Sequence, residues 1–326
     1  AALDLLWKGQ CNCAYWHGVY AGLYLPHLRE AVYSNLIRAE AELDRGREPG
    51  WTYLEMVDLD CDGTPEVIAS SAALNAFFSL VGGAMFELDF KPRAANLADT
   101  LARWPEAYHP KDGEEYDGYP RDSFLDHFYA PGTSLVQALD SGDFAQGLYE
   151  HHPVPAAQRT AFKLVRHGAI AHGESTHPVT VEKEFEIDRE ACRITARYRV
   201  TNTGPVQLAT RFGVELNWAL QSGDAPSDRF VLVDGQTPVE RRLGARAEHP
   251  GARELVAHDR WRKLAMKMQW SRPAVLWRYP VETTSRTFAR TETIFQSLCL
   301  IPVWDLELPI GGTFAVDLVL TVEATS

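Results

Sequence analysis

The chain has 326 residues, 45% of them hydrophobic, and a formal net charge of −12. That is enough for a large core in roughly one to three domains. The negative balance repels phosphate backbones and argues against nucleic-acid binding, and the long apolar run from Ala72 to Met85 is broken by Asn75, Ser79 and a glycine pair, so no membrane span is expected.

The chain opens on Ala rather than Met and shows no basic-then-apolar leader, so it reads as a processed chain or a piece of a longer one. Near its start, Gly9-Gln10-Cys11-Asn12-Cys13-Ala14-Tyr15-Trp16-His17-Gly18 sets two amides, two aromatics and a histidine between glycines. Flat aromatic faces stack on the C–H face of a pyranose, and amides and imidazole satisfy its hydroxyls. Trp16, His17, Asn12, Gln10 and Tyr15 are therefore candidate saccharide contacts. Aromatics at a helix start also serve in ordinary cores. What favours binding is that burying Gln10, Asn12 and His17 would demand polar partners. Cys11 and Cys13 lack a second Cys/His pair at zinc-ligand spacing, so they are expected to be buried or pocket-lining thiols. The cysteines at 11, 13, 61, 192 and 299 form no disulfide framework and point to a reducing, cytoplasmic compartment.

Leu25, Leu28, Val32, Leu36 and Ile37 then recur at helical spacing, with Pro26 suited to a first turn and Arg29, Glu30, Arg38, Glu40 and Glu42 on the wet face. Asp44-Arg45-Gly46-Arg47-Glu48-Pro49-Gly50 ends the helix. This divides the chain into a helical segment, 1–48, and a β-rich domain, 49–326.

Asp58-x-Asp60-x-Asp62-Gly63-Thr64-Pro65-Glu66 reproduces the first nine positions of a calcium loop of EF-hand type. Asp58, Asp60, Asp62, Thr64 and Glu66 are the candidate ligands. Ala69 occupies the twelfth position and Val67-Ile68 reads as a strand, so an EF-hand is excluded but a strand-flanking Ca2+ loop is not. The alternative is a metal-free acidic turn. Like charges this close repel unless compensated, which favours a cation.

Val81-Gly82-Gly83 reads as a turn feeding a strand. Arg103 to His109 and Asp122 to Phe128 mix charge, aromatic and histidine, and read as loop-to-strand transitions or groove walls. Tyr108 to Pro120 reads as a long loop. Further on, strict alternation marks strands at 179–187, 192–200, 212–218 and 314–322, with turns at Asp188 to Ala191 and Asn202 to Pro205. Glu215 and Asn217 fall on one strand face, a candidate site if that face is buried. Ser222 to Arg262 reads as a loop-bearing excursion at a sheet edge. The expected fold is mainly β, an antiparallel sandwich of many short strands preceded by a short α-helical segment. No carboxylate pair suited to a glycosidase, no Gly-x-Ser-x-Gly elbow, no Walker loop and no His-Glu-x-x-His motif is present.

Gln10 to Arg29 resembles the last conserved stretch of glycoside hydrolase family 57, in its 4-α-glucanotransferases and α-amylase-like proteins. The blocks Asp58–Val67, Gly82–Asp89, Asn96–His109, Asp122–Phe128 and Phe212–Asn217 resemble, in order, the β-rich C-terminal region of those enzymes. The resemblance implies a galactose mutarotase-like supersandwich. It implies a nucleophilic Glu and an acid Asp in an N-terminal distorted β/α barrel that this chain does not contain. It implies that Trp16 and His17 line a groove for an α-glucan or maltooligosaccharide beside that barrel. Several of these glucanotransferases carry Asp where this chain has Cys13, and a thiol cannot accept a charge-assisted hydrogen bond from a sugar hydroxyl as a carboxylate does. The expected function is the C-terminal part of an α-1,4-glucan-processing enzyme. The alternatives are a non-catalytic glucan-binding domain and an aldose epimerase-like enzyme, in which His109 or His127 would face Glu215 in one cleft.

Overall fold

The computed structural model describes residues 1–16, 21–105, 116–138, 142–154, 160–172, 175–188, 190–286 and 291–326. Two helices come first, α1 (Ala2–Gly9) and α2 (Pro26–Asp44). The expected helix is α2, with Pro26 in its first turn. α1 escaped the sequence reading because it is one short run without a cap signal. Val32, Ile37 and Ala39 of α2 are buried.

Arg29, expected in water, is buried with them. Its Nε donates to Asp99 Oδ1 at 2.8 Å and its Nη2 to Gln296 Oε1 at 3.0 Å, tying helix to sandwich. A charge on a buried face needs such partners, and helical periodicity cannot reveal them.

A five-stranded sheet follows in sequential order: β1 (Thr52–Val57), β2 (Glu66–Ser71), β3 (Leu74–Ser79), β4 (Ala84–Phe90) and β5 (Ala95–Asn96). The remaining strands are β6 (Leu125–Tyr129), β7 (Glu150–Pro153), β8 (Thr160–His172), β9 (Ser175–Ile187), β10 (Arg193–Asn202), β11 (Leu208–Trp218), β12 (Arg229–Val233), β13 (Ala247–Asp259), β14 (Leu264–Arg286), β15 (Thr291–Leu308) and β16 (Thr313–Ala324). They form one antiparallel ladder in the order β6-β11-β15-β14-β16-β10-β9-β8-β7, with the β12–β13 hairpin joined to β14.

The ladder folds over on itself. Phe212 of β11 lies 5.9 Å from Tyr198 of β10 and 6.4 Å from Phe314 of β16, ring to ring, although β15 and β14 intervene in the order. β14 makes the fold-over possible. Its first half pairs with β16 and its second half with β15. Pro273 sits where it changes partners and no β15 or β16 pairing is made. The five-stranded sheet closes the other end, with Phe78 4.7 Å from Phe185 and 5.0 Å from Phe162. Such aromatic contacts add about 0.5–1.5 kcal/mol each beyond area burial.

The loop-bearing excursion expected over Ser222 to Arg262 also carries two strands, β12 and β13. Its charge and its Gly and Pro residues masked the strands, and β13 carries register shifts around Ala252 that break the alternation. The strands are also not uniformly short: β14 has 23 residues and β15 has 18. The long loop expected from Tyr108 to Pro120 lies largely outside the described residues.

Candidate functional site: an exposed N-terminal segment, an acidic hairpin and a buried carboxylate network

α1 ends at Gly9, where α2 passes close by. A Cβ there would meet Leu36 Cδ2 at 2.5 Å. Tyr15 folds back over this point, its hydroxyl donating to the Gly9 carbonyl at 2.6 Å. Gln10, Asn12, Tyr15 and Trp16 lie together on one short segment, and all are exposed, Trp16 by 47%. His17 lies outside the described residues. Gln10 and Asn12 are therefore solvated, and burial does not oblige them to find a ligand. Cys11 and Cys13 are exposed rather than buried. Leu3, Leu6 and Trp7 of α1 are exposed as well, Trp7 by 64%. Exposed apolar groups gathered on one element mark an interaction surface.

The acidic stretch is the β1–β2 hairpin loop, closed by the pairing of Val57 with Glu66. Asp58, Asp60 and Glu66 each bring a carboxylate oxygen within 4.8 Å of the others. Asp62 is not in this group, and its Oδ1 accepts from the Thr64 N–H at 2.6 Å. The loop also orders itself without a cation. Asp58 accepts from the N–H groups of Asp62 and Gly63, and Glu66 from that of Leu59.

β6 and β11 build a third site. In β11, Phe212, Val214, Leu216 and Trp218 enter the core, so Glu215 and Asn217 take the other face, and both are 1% exposed. Glu215 accepts three side-chain hydrogen bonds and faces a histidine. Its Oε1 accepts from Arg121 Nη1 at 2.8 Å and Asn217 Nδ2 at 2.7 Å, and its Oε2 from the Tyr119 hydroxyl at 2.9 Å. His127 Nε2 stands 3.0 Å from the same Oε2. Burial alone would raise the Glu215 pKa, but the Arg121 charge, His127 and Asn217 outweigh it and hold it well below the carboxylate range. Arg121 also pairs with Asp117 at 2.5 Å, and Arg103 reaches the same carboxylate at 2.6 Å. Arg103, Tyr119, Arg121, His127 and Glu215 line a cavity of ≈ 380 Å³, together with Tyr129, Tyr279 and Arg246. Arg103 to His109 and Asp122 to Phe128 are more than plain loop-to-strand transitions. The structure puts Arg103 and His127 in one network, and His109 lies outside the described residues.

Two further buried charge clusters hold the frame. Lys183, fully buried, pairs with Asp126 at 2.9 Å and donates to the carbonyls of Gly82, Gly83 and Phe124. Gly82 and Gly83 both have positive φ, 70° and 54°, so the turn that offers these carbonyls suits glycine. Under α2, Glu87 and Asp89 share a hydrogen bond. Burial and each other's charge raise Glu87, and burial raises Asp89 despite its hydrogen bond from Asn75. The two carboxyls are too close to straddle a glycosidic bond, which needs about 5 Å or more between them.

The fold defines the class: an antiparallel galactose mutarotase-like supersandwich carrying an N-terminal helical segment. A putative aldose 1-epimerase from Escherichia coli K12 shares this fold alone, with TM-score 0.51 at 14% identity over 84% of this chain and 100% of that one. The family described as alpha-amylase/4-alpha-glucanotransferase, C-terminal, matches residues 58–115 and 114–318, and the corresponding middle domain matches residues 1–43. The chain belongs to this alpha-amylase/4-alpha-glucanotransferase family. The solved 4-alpha-glucanotransferase of Thermococcus litoralis superposes with TM-score 0.80 at 28% identity, covering 98% of this chain and 46% of that one. Alpha-amylase 1 of Dictyoglomus thermophilum is 26% identical over 96% of this chain and 48% of its own length. The chain thus spans about half the length of the curated relatives it matches.

Proposed function

We propose that the chain supplies the non-catalytic part of a retaining 4-α-glucanotransferase or α-amylase of glycoside hydrolase family 57. The nucleophile and acid then come from an N-terminal β/α barrel outside these residues. The order of the family matches carries this reading: middle domain first, C-terminal domain after it, in relatives twice as long. The exposed face of α1 and the segment through Trp16 would meet the barrel, where Trp16 stacks on a glucosyl ring and Gln10, Asn12, Tyr15 and His17 hold hydroxyls. A calcium ion at Asp58, Asp60 and Glu66 would brace the hairpin loop, with Asp62 and Thr64 ordering its backbone. Five free cysteines suit a reducing, cytoplasmic setting.

The epimerase-like alternative needs Glu215 as a proton acceptor. A carboxylate that already accepts three hydrogen bonds, with its pKa held low by the Arg121 charge, is a poor base near neutrality. A glucan-binding domain without any barrel partner is the remaining rival. Titration of the chain with maltoheptaose tests the reading, together with an assay for reducing-sugar release. Release of reducing sugar by the pure chain would overturn it. Silence in the assay, with a full-length relative losing kcat/KM when the residue equivalent to Trp16 is changed to Ala, supports it.

A further inference from the structure

We propose that the cavity beside Glu215 is a second saccharide site, one that takes the end of a short neutral glucan and does not depend on the N-terminal segment. None of the described residues lining it belongs to the first 48 positions. At ≈ 380 Å³ it falls at the small end of small-molecule sites, about 300–1,000 Å³.

Its lining has the chemistry of sugar recognition. Tyr116, Tyr119, Tyr129 and Tyr279 supply aromatic surface for C–H faces. Arg246 is exposed, stands 5.4 Å above the Tyr279 ring, and has no carboxylate partner among the described residues. Its planar donors are therefore available to hydroxyls. Inside, Arg121 is only 6% exposed, yet its Nε has no hydrogen-bond partner. Native structures rarely leave a buried donor so, and a ligand oxygen is one way to satisfy it.

The charge balance selects a neutral ligand. The two inner guanidiniums, Arg103 and Arg121, are already matched by Asp117 and Glu215. Among the described lining residues, the guanidinium left for a phosphate or carboxylate is Arg246, at the exposed rim. Because Glu215 already accepts from Arg121, Asn217 and Tyr119, it shapes the site and does no chemistry on the sugar.

The test is calorimetric titration of the chain with maltose, alongside Arg246→Ala, Tyr116→Ala and Trp16→Ala. Arg246 and Tyr116 are exposed, so both cavity variants should melt like the parent by circular dichroism. The expected result is binding weakened roughly tenfold in each cavity variant and unchanged in Trp16→Ala. Loss in Trp16→Ala alone would place the sugar on the N-terminal segment and overturn the cavity proposal while leaving the proposed function standing. No maltose binding overturns it as well. So does binding of glucose 6-phosphate in preference to maltose, which would make the cavity an anion site.

Discussion

His127 Nε2 and Glu215 Oε2 face each other at 3.0 Å, both side chains 1% exposed, on neighbouring strands β6 and β11. The pair sits in a wider network in which Arg121 bridges Glu215 and Asp117.

Removing Arg121 leaves two buried carboxylates short of a cation. Arg121→Met is expected to cost about 3–5 kcal/mol in urea unfolding, as for other broken buried pairs. Glu215 has a depressed folded pKa, so its contribution is present above the ordinary carboxylate range and is lost as pH falls below it. In Glu215→Gln, acid unfolding should become less steep. An unchanged acid transition would show that the network does not set acid stability.

Lys183 and Asp126 form the second buried pair, fully enclosed on both sides. Lys183→Met should cost about 3–5 kcal/mol, because Asp126 is stranded and three carbonyls lose a donor. Adding Asp126→Asn should recover part of that loss. Simple additivity in the double-mutant cycle would mean the two do not interact.

Glu87 and Asp89 titrate in the opposite sense to Glu215. Burial lifts Glu87 to about 9 and Asp89 to about 7, with Glu40 facing both and Lys91 facing Asp89. Raised folded pKa values mean that stability is fullest below the ordinary carboxylate range and is lost as pH climbs through these values. The denaturation midpoint should therefore fall from mildly acidic to alkaline buffer, and Glu87→Gln should flatten that fall. A midpoint that rises with pH over this range would contradict the pairing.

The contact between α1 and α2 rests on Gly9. Gly9→Ala would drive a methyl into Leu36 and should cost about 1–3 kcal/mol. Proteolysis near residue 10 should quicken as α1 lifts. The double variant Gly9→Ala/Leu36→Ala should restore the parent rate.

Calcium binding at the hairpin should raise the melting temperature in proportion to the logarithm of calcium above its dissociation constant. Asp60→Asn should abolish that rise while barely moving the metal-free melt, because the loop is exposed. Equal melts with calcium and with chelator would remove the ion from the proposed function.

By itself the sequence determined the local periods and their phase. Period-two alternation placed Val179, Val181, Lys183, Phe185 and Ile187 on one face of β9, and all five are buried, Lys183 included. Helical spacing and Pro26 located α2, and glycine and proline clusters located the main turns. These features are legible because they depend on neighbours a few positions apart. Only the tertiary structure decided which faces meet. Arg29 is dry because Gln296, 267 positions away, accepts its hydrogen bond. Glu215 becomes the centre of a network because Arg121, Tyr119 and His127 arrive from segments about ninety residues earlier. The polar face of β11 looks the same in sequence whether it meets water or four partners. Its meaning is set by long-range closure of the sheet, and no local pattern carries that information.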